Sequence, residues 1–266
     1  MRIAADNLHV INPAVAEALA GCAPEPIQDL VRRCEQAGAQ AIDINSGPLK
    51  REPQKHFGFL VEAVQAITDL PLMLDTTNAE ALEAGLRVCR KKAIINGFSL
   101  EPVKLAHILP LAKQYDVEII GYLLDPQGQV PIEEEDMMAL AVALFEAYTK
   151  AGLDASRLII DPIVAPLAWD NGRRHNRSVL SLVRNLADLL DAPVRTIAGL
   201  SNLATGAMPV NRKISLEQAY LPMLAAAGLD MVLLNVFHRP TMQMARTCDA
   251  LLGDTIFTWV EIADAE

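Results

Sequence analysis

Short apolar runs alternate with longer amphipathic segments along the whole chain. The runs are rich in Ile, Leu, Val and Ala, a composition typical of buried β-strands. Eight strands are predicted in this way: 1–5, 41–44, 72–74, 93–95, 118–121, 158–160, 196–198 and 231–234. Because a helical segment separates each run from the next, the strands are expected to pair in parallel.

Between these runs, apolar residues recur every three or four positions, which is the period of a helix with one buried face. In the segment 26–37, for example, Ile27, Leu30, Val31 and Cys34 fall on one side. Eight helices are predicted: 26–37, 57–67, 79–89, 101–115, 134–151, 178–190, 215–227 and 239–252. Several of them end in Ala-Gly, where glycine can take the left-handed conformation that ends a helix.

Eight β-α units predict an α/β fold of the (β/α)8 TIM-barrel type, formed by residues 1–266 as one domain. The chain length of 266 residues lies within the range in which such a barrel closes. A doubly wound open sheet is the alternative. A dinucleotide-binding sheet, however, would carry GxGxxG after its first strand, and this motif is absent from the sequence.

Charge and cysteine usage narrow the function class. The formal net charge is −10 and the longest basic run is 90–92, which disfavours nucleic acids and anionic membranes as partners. The four cysteines are far apart without a CxxC pair, which argues against disulfides or a zinc site and favours a reducing compartment. The sequence shows neither the charged and then apolar start of a signal peptide nor an apolar run long enough to span a membrane. A cytoplasmic location is therefore expected.

Polar residues follow nearly every predicted strand. In a TIM barrel the carboxyl ends of the strands surround the active site, so Asp75, Asn96 and Asp161, which directly follow apolar runs, are expected in the barrel mouth. Asn78 is expected instead to cap the helix that begins at residue 79. The other strand-end residues of this kind are Asp6, Asn7, Asp43, Asn45, Asp125 and Asn235.

The segment 194–202 combines an apolar run with Gly199, Ser201 and Asn202. Glycine allows a ligand to approach the backbone closely, and the hydroxyl and amide groups can bind that ligand. The alternative is simple turn chemistry, for which the same three residue types are common. Similar endings on the other strands favour a binding site.

The chemistry of these side chains indicates the ligand class. Carboxylates and carboxamides, with almost no Lys, Arg or His among them, suit a neutral ring rich in N–H donors, such as a guanine-like or pterin-like heterocycle. A Mg²⁺ site is the competing interpretation. The interleaved asparagines and the lack of closely spaced carboxylates disfavour it, so no metal is expected.

Five sequence blocks together resemble a known family. They are AIDINSGP at 41–48, LDTTN at 74–78, IINGFS at 94–99, IIDPIVAP at 159–166 and TIAGLSNLATGAMPVNR at 196–212. The chain is similar to the pterin-binding methyltransferases that take the methyl group of methyltetrahydrofolate to a corrinoid protein, and the resemblance runs over about residues 1–260. It implies a TIM barrel related to dihydropteroate synthase, usually a homodimer.

The resemblance also implies residue roles. Asp75, Asn96 and Asp161 match the residues that hydrogen-bond the pterin ring, and Asn202 matches the amide that contacts N5, the methyl-bearing nitrogen. Four further positions match polar or neighbouring groups of the folate site: Asp43, Asn45, Gly199 and Ser201. Arg212 matches an arginine near the folate.

Chemically, the nitrogen that loses the methyl group needs a hydrogen bond or a proton as the bond breaks. The NH2 group of Asn202 can donate to N5 more strongly as charge develops there. The proton would come through water or a network that includes Asp75, Asp161 and Asp43. No side chain here is a useful methyl acceptor and no DxHxxG corrinoid-binding element is present, so the corrinoid (cobalamin) is expected on a separate partner protein.

The N-terminal strand departs from the family pattern. Where Gly-Glu-Arg-x-Asn is common, this chain has Ala5-Asp6-Asn7-Leu8-His9, and the last strand is followed by Asn235 where an acidic residue is common. His9 and His238 are expected near the mouth, in loop structure or partner contact rather than catalysis. Two alternatives stay open: another pterin enzyme of the dihydropteroate synthase type, whose lysine and SxRxH elements are not visible here, or a non-catalytic folate-binding subunit.

Overall fold

The strands of the computed structural model, which describes residues 1–49, 51–206 and 208–253, form a closed parallel barrel. Each strand pairs with its neighbours in chain order, and the last pairs with the first. The strands are β1 (Arg2–His9), β2 (Ala41–Asn45), β3 (Leu72–Asp75), β4 (Ala93–Phe98), β5 (Glu118–Tyr122), β6 (Leu158–Asp161), β7 (Arg195–Gly199) and β8 (Met231–Leu234). The predicted TIM barrel is confirmed.

The helices surround the barrel. They are α1 (Pro13–Gly21), α2 (Pro24–Ala37), α3 (Pro53–Gln65), α4 (Ala79–Val88), α5 (Pro102–His107), α6 (Leu109–Tyr115), α7 (Glu134–Lys150), α8 (Gly172–Leu190), α9 (Val210–Ala227) and α10 (Arg239–Leu252). As predicted, Asn78 caps α4, since its side-chain oxygen accepts hydrogen bonds from the backbone N–H groups of Glu80 and Ala81.

The structure differs from the predicted helices in several details. Helix α1 was not predicted, although the Asn12 side chain caps it and Pro13 begins it. The single helix predicted at 101–115 is two helices. Pro110 lies in the first turn of α6, where its missing N–H is tolerated, whereas the same proline inside a continuous helix would break it. Helices α8 and α9 begin earlier than predicted because their first turns are polar and carry no apolar period.

Strand β1 is longer than the predicted 1–5 and contains a bulge. Its register with β2 pairs Ala5 with Ile42 but Leu8 with Ile44, so β1 has one extra residue between these pairs. Asp6 and Asn7 therefore lie within the irregular part of a strand rather than after it. A bulge of this kind re-aims side chains, and bulges are frequent at barrel rims.

One layer of side chains fills the barrel interior, with one apolar residue from each strand. Its members are Ala4, Ala41, Met73, Ile94, Ile120, Ile159, Ile197 and Met231, all buried. A second and larger apolar cluster lies between the strands and the helices. Because successive side chains on a strand alternate between its faces, residues two positions beyond the interior layer also point inward, at the mouth.

None of the helices in residues 1–49, 51–206 and 208–253 combines the length and the apolar character needed to cross a membrane. The four cysteines are free thiols, of which Cys34 and Cys248 are buried.

Helices α3 and α4 pack closely against each other on the outside of the barrel. A Cβ atom at Gly85 of α4 would lie 2.6 Å from the ring of Phe57, which is fully buried on α3. We expect Gly85→Ala to lower the free energy of unfolding by about 1–2 kcal/mol, because overpacking outweighs the gain in helix propensity. Urea-induced unfolding followed by circular dichroism measures the change.

The matched control is Gly58→Ala on α3, where a Cβ atom would meet nothing within 4 Å. There the same substitution should raise stability by about 0.5–1 kcal/mol, the usual cost of glycine in a helix. Equal effects at the two positions would show that the close approach at Gly85 does not exist.

Candidate active site

Polar side chains form the layer directly above the apolar interior. The register places Asn45 opposite Asp75, Asp75 opposite Asn96, and Tyr122 opposite Asp161. Asp75, Asn96, Tyr122 and Asp161 each stand two positions after a residue of the apolar interior layer. Asn45 stands two positions after Asp43. The predicted residues of β2, β3, β4 and β6 therefore meet at one end of the barrel.

A chain of hydrogen bonds links three of the strands. The Tyr122 hydroxyl donates to the side-chain oxygen of Asn96, and the Asn96 NH2 group donates to the Asp43 carboxylate over 3.0 Å. Asp43 and Asn96 are buried, with exposed fractions of 3% and 6%. Both ends of the Asn96 amide are thus fixed by neighbours, which holds the group in one orientation.

The carboxylates of Asp75 and Asp161 are oriented by single donors. The Asn45 NH2 group donates to Asp75, and the Asn45 oxygen in turn accepts from the Gly47 backbone N–H at 2.9 Å. Asp161 accepts a hydrogen bond of 2.7 Å from the backbone N–H of Ile163. Each carboxylate keeps lone pairs that face the mouth, where they can accept hydrogen bonds from a ligand.

Burial changes the acidity of this layer. Desolvation raises the pKa of Asp161 to about 7 and that of Asp75 to about 6, although Lys104 opposes the second shift. Desolvation, together with the nearby charge of Asp75, raises the pKa of Asp43 well above its ordinary value. Asp75 and Asp161 therefore exist in both protonation states near neutral pH, so each can accept or donate a hydrogen bond to a ligand.

The segment 161–166 is held in place by the start of α8. Asn176 pairs with both backbone groups of Ala165, accepting from its N–H over 2.9 Å and donating to its carbonyl over 2.8 Å. The ring nitrogens of His175 lie 2.6 Å from the Ile163 carbonyl and 2.7 Å from the Pro131 carbonyl. His175 is buried, and it ties two mouth loops together.

Strand β7 ends in the predicted Gly199, which is followed by a 3-10 turn at Leu200–Ala204. The NH2 group of Asn202 lies 3.2 Å from the place where a Cβ atom on Gly199 would stand. A Cβ atom at this position would crowd the Asn202 amide, so glycine favours the close approach of Asn202 to the strand end. Asn202 remains exposed, so its amide is accessible to a ligand in the mouth.

A second polar cluster occupies the β7–β8–β1 side of the mouth. Glu217 of α9, buried to 3% exposure, accepts a hydrogen bond from Thr241 and lies 2.9 Å from Nδ1 of His238. Burial, together with the charge of the nearby Glu217, raises the pKa of Asp6 above its ordinary value. We name Asp6, Glu217 and His238 the β1 corner.

The two asparagines of the divergent strands also lie at this side of the mouth. The NH2 group of Asn7 donates to the Asn235 oxygen over 2.6 Å, and the Asn7 oxygen accepts from the Val236 backbone N–H over 3.0 Å. Asn235 in turn lies 3.4 Å from Nε2 of His238. The positions that depart from the family pattern therefore bind one another and connect to the β1 corner.

The structure brings together most, but not all, of the residues predicted from the sequence. Arg212 is exposed in the first turn of α9, and within the described part of the chain no hydrogen bond or ion pair links its side chain to the mouth network. The sequence did not predict that Tyr122 and Glu217 lie at the mouth, nor that His175 is buried. Tyr122 could have been found, because it stands two residues beyond the interior residue Ile120.

The residue types determine which ligands the mouth can hold. Across residues 1–49, 51–206 and 208–253, no group of three or more His, Cys, Asp or Glu side chains is arranged to bind a metal ion. The carboxylates are instead spread over β2, β3 and β6 and separated by amide and phenol groups. This arrangement suits the edge of a flat heterocycle that offers several N–H donors.

Comparison with known proteins agrees with this geometry. Residues 21–235 match the family described as pterin binding enzyme. The chain belongs to this family. Since the match spans β2 through the end of β8, it includes most of the mouth residues.

Individual relatives refine the picture. Methylcorrinoid:tetrahydrofolate methyltransferase of Eubacterium limosum is 26% identical over 96% of this chain and 92% of its own length. Methionine synthase of Mycobacterium leprae is 23% identical over 78% of this chain but only 18% of its own. A Yersinia pestis DHPS structure with a pterine-sulfa conjugate superposes with a TM-score of 0.72 at 17% identity, covering 96% of this chain and 94% of that one. This last similarity shows the fold of this pterin-binding enzyme.

The raised pKa of Asp161 predicts a pH-dependent stability. A carboxyl group with a higher pKa in the folded chain favours folding while it is protonated. Its contribution to the free energy of unfolding is fully present below pH 3.8 and is lost as the pH rises through about 7. Asp161→Asn stays neutral throughout and keeps the acceptor for Ile163. The unfolding free energy of the wild type should therefore fall by about 2 kcal/mol relative to the variant between pH 5.5 and 7.5.

Asp69→Asn is the control, because Asp69 is exposed and pairs with Lys91, which lowers the pKa of Asp69 below its ordinary value. This variant should track the wild type over the same pH range. Urea titrations at several pH values measure all three proteins. Parallel curves for Asp161→Asn and the wild type would contradict the shifted pKa.

Proposed function

We propose that this pterin-binding enzyme moves the N5-methyl group between methyltetrahydrofolate and the corrinoid of a separate corrinoid protein. The observation that carries the proposal is the convergence of Asp75, Asn96 and Asp161 in one mouth, beside the accessible amide of Asn202. The resemblance to the Eubacterium limosum methyltransferase over nearly the whole of both chains supports this reaction class.

In this proposal the β2–β6 side of the mouth holds the pterin ring. The ring presents a row of N–H donors and acceptors along one edge, and the layer formed by Asp43, Asn45, Asp75, Asn96 and Asp161 offers matching groups fixed by their neighbours. Since the supporting hydrogen bonds are made before the ligand arrives, little ordering is left to occur on binding. Arg212, outside this layer, is assigned to the glutamate-bearing end of the folate.

Asn202 is assigned to the reacting nitrogen. Its NH2 group can donate to N5, and the interaction strengthens when the bond to carbon breaks and electron density returns to that nitrogen. The close approach of Asn202 to Gly199 places its amide beside the end of β7. Ser201 lies next to Asn202 in the same 3-10 turn, and Asp75 and Asp161 complete the proposed catalytic groups.

The alternative of a synthase of the dihydropteroate type shares the fold, since the barrel superposes well on DHPS. No further observation favours that activity. The lysine and SxRxH elements expected of a synthase are not visible in the sequence. A purely binding subunit would not need the raised pKa values of Asp75 and Asp161, which place both groups near their proton-exchange range.

A corrinoid protein must reach the mouth, and the rim of the mouth is suited to protein contact. Six of the ten large exposed hydrophobic residues among those described follow strand ends: Ile11, Val103, Ile132, Trp169, Met208 and Val210. We name these six residues the apolar rim. Trp169 has an exposed fraction of 54%, and aromatic residues of this kind often dominate protein–protein binding energy. The apolar rim is therefore assigned to the corrinoid protein.

A second apolar surface supports the proposed homodimer. A groove of 430 Å³ between α8 and α9 is lined by Leu180, Leu216 and Met223, with Arg173 and Arg177 among its other lining residues. The groove also includes Leu167 and Leu203, which follow β6 and β7, so a second copy bound there would lie beside the mouth. The proposal does not need residues from that copy in the site.

Asn202→Ala tests the reaction. The wild type should convert cob(I)alamin to the methylated form when mixed with methyltetrahydrofolate, as followed by absorbance. The variant should bind methyltetrahydrofolate within about threefold of the wild-type affinity and react about 100-fold more slowly, because the lost donor acts mainly in the transition state.

Asn185→Ala, which alters an asparagine on the exposed part of α8, is the matched control and should leave the rate unchanged. A cob(I)alamin spectrum that does not change with the wild-type protein would reject the proposed function. Full activity of Asn202→Ala would reject only the role given to that residue.

Trp169→Ala tests the partner surface. With the corrinoid protein as acceptor, the KM for that protein should rise about 10-fold or more, which is the usual effect of removing a buried aromatic anchor. With free cob(I)alamin, the same variant should be as active as the wild type. Leu251→Ala, at an exposed leucine near the end of α10, is the control. Equal losses with both acceptors would assign Trp169 to the folate site instead.

A further inference from the structure

His175, in the first turn of α8, contacts two loops of the mouth with one ring. Its Nε2 lies 2.6 Å from the carbonyl oxygen of Ile163, in the loop that follows β6. Its Nδ1 lies 2.7 Å from the carbonyl oxygen of Pro131, in the loop that follows β5. The side chain is buried, with an exposed fraction of 2%. The ring therefore joins the two loops at a place from which water is largely excluded.

Both partners of this ring are carbonyl oxygens, which only accept hydrogen bonds. A neutral imidazole carries one N–H group, and its other nitrogen presents a lone pair. In that form one carbonyl oxygen would face a lone pair at hydrogen-bonding distance, so a buried carbonyl and a buried ring nitrogen would both lack a donor. The two contacts of His175 are both satisfied only by the imidazolium form, in which each ring nitrogen carries a proton.

The charged groups around His175 are compatible with a cation there. Asp170 lines the same pocket of 260 Å³, which lies between the loops that follow β5 and β6. Arg174 is adjacent in sequence, but it pairs with Glu133, which reduces its repulsion of a neighbouring charge. The start of α8 disfavours a cation through the helix dipole. Hydrogen bonds from a charged donor are stronger than neutral ones, so the two carbonyl contacts oppose that effect.

Ile163 has a backbone conformation that its side chain disfavours. Its φ is +63°, in the left-handed region, where a β-branched residue is rare. In this conformation its N–H group donates to the Asp161 carboxylate over 2.7 Å, while its carbonyl oxygen faces Nε2 of His175. Such a conformation persists where the surrounding contacts hold it. The contact with His175 therefore helps to keep the Ile163 N–H directed at Asp161.

We propose that His175, as an imidazolium ion, positions the Asp161 carboxylate for the pterin ring by holding Ile163 in its left-handed conformation. The inference rests on the proposed function, in which Asp161 binds that ring. His175 acts through the peptide group of Ile163, so it is a positioning residue. Its contact with Pro131 also connects this peptide group to the loop after β5, the strand that carries Tyr122 of the polar layer.

The charge can be measured directly in the wild type. The chain has five histidines, and ¹⁵N NMR spectra of the labelled imidazoles distinguish a ring with two N–H groups from a ring with one. At about pH 7.5, where exposed histidines are mostly neutral, one ring should carry both protons. Its signals should be missing from the spectrum of His175→Gln. A spectrum in which no ring carries both protons would overturn the inference.

His175→Gln tests the role of the ring in the site. The glutamine NH2 group can donate to one carbonyl oxygen, but the glutamine oxygen would face the other. Because Asp161 is then no longer held in position, the Kd for methyltetrahydrofolate should rise about 10-fold, as measured by isothermal titration calorimetry. The matched control is His107→Gln at an exposed position of α5, which should leave the Kd unchanged. An unchanged Kd in His175→Gln would contradict the proposed role.

Two double variants identify the route of this effect. In Asp161→Ala the carboxylate is absent, so the further change His175→Gln should alter the Kd by less than about twofold. In Ile163→Gly the backbone adopts the left-handed conformation without a side-chain penalty. There the further change His175→Gln should raise the Kd by less than about threefold. A 10-fold loss in both backgrounds would show that His175 acts neither through Ile163 nor on Asp161.

The design separates failure of the inference from failure of the proposed function. A wild type that binds methyltetrahydrofolate but gives any of the contradicting results above rejects the role of His175 alone. A wild type that does not bind methyltetrahydrofolate rejects the proposed function, and the role of His175 with it. Circular dichroism checks that each variant is folded. If His175→Gln is not folded, the ¹⁵N spectrum of the wild type decides the inference.

Discussion

The alternation of side chains along strands that close into a barrel is the constraint on which the mouth depends. One apolar residue from each strand fills the interior, and the next inward-facing position stands above this layer. Water is excluded from below, so the carboxyl groups of Asp43, Asp75 and Asp161 are partly desolvated and their pKa values rise. The apolar layer thus raises the pKa values of the carboxyl groups that lie above it.

The polar layer divides into two parts with different support. On the β2–β6 side, amide and phenol groups donate to carboxylates, and the side chains are fixed before any ligand binds. On the β7–β8–β1 side, the contacts run outward to α9 and α10 through Glu217 and His238. This division matches the two tasks of the proposed reaction, which are to hold a ring and to exchange a proton at one of its atoms.

Much of the barrel and part of the site could be predicted from the sequence because they depend on local pattern. Apolar runs followed directly by Asp or Asn identified Asp75, Asn96 and Asp161, although β4 continues past Asn96 to Phe98. Glu217 could not be identified, since an acidic residue within a helix resembles a solvated one until tertiary packing buries it. The bulge in β1 was also invisible, because strand register depends on the neighbouring strand.

Helix α9 connects the two halves of the mouth. Its Glu217 supports His238, and three residues later its Tyr220 hydroxyl donates to the Asn176 carbonyl over 2.7 Å, behind the segment that carries Asp161. Helix α9 therefore contacts both the β1 corner and the segment behind Asp161. A substitution that shifts this helix would therefore move supporting contacts on both sides of the mouth at once.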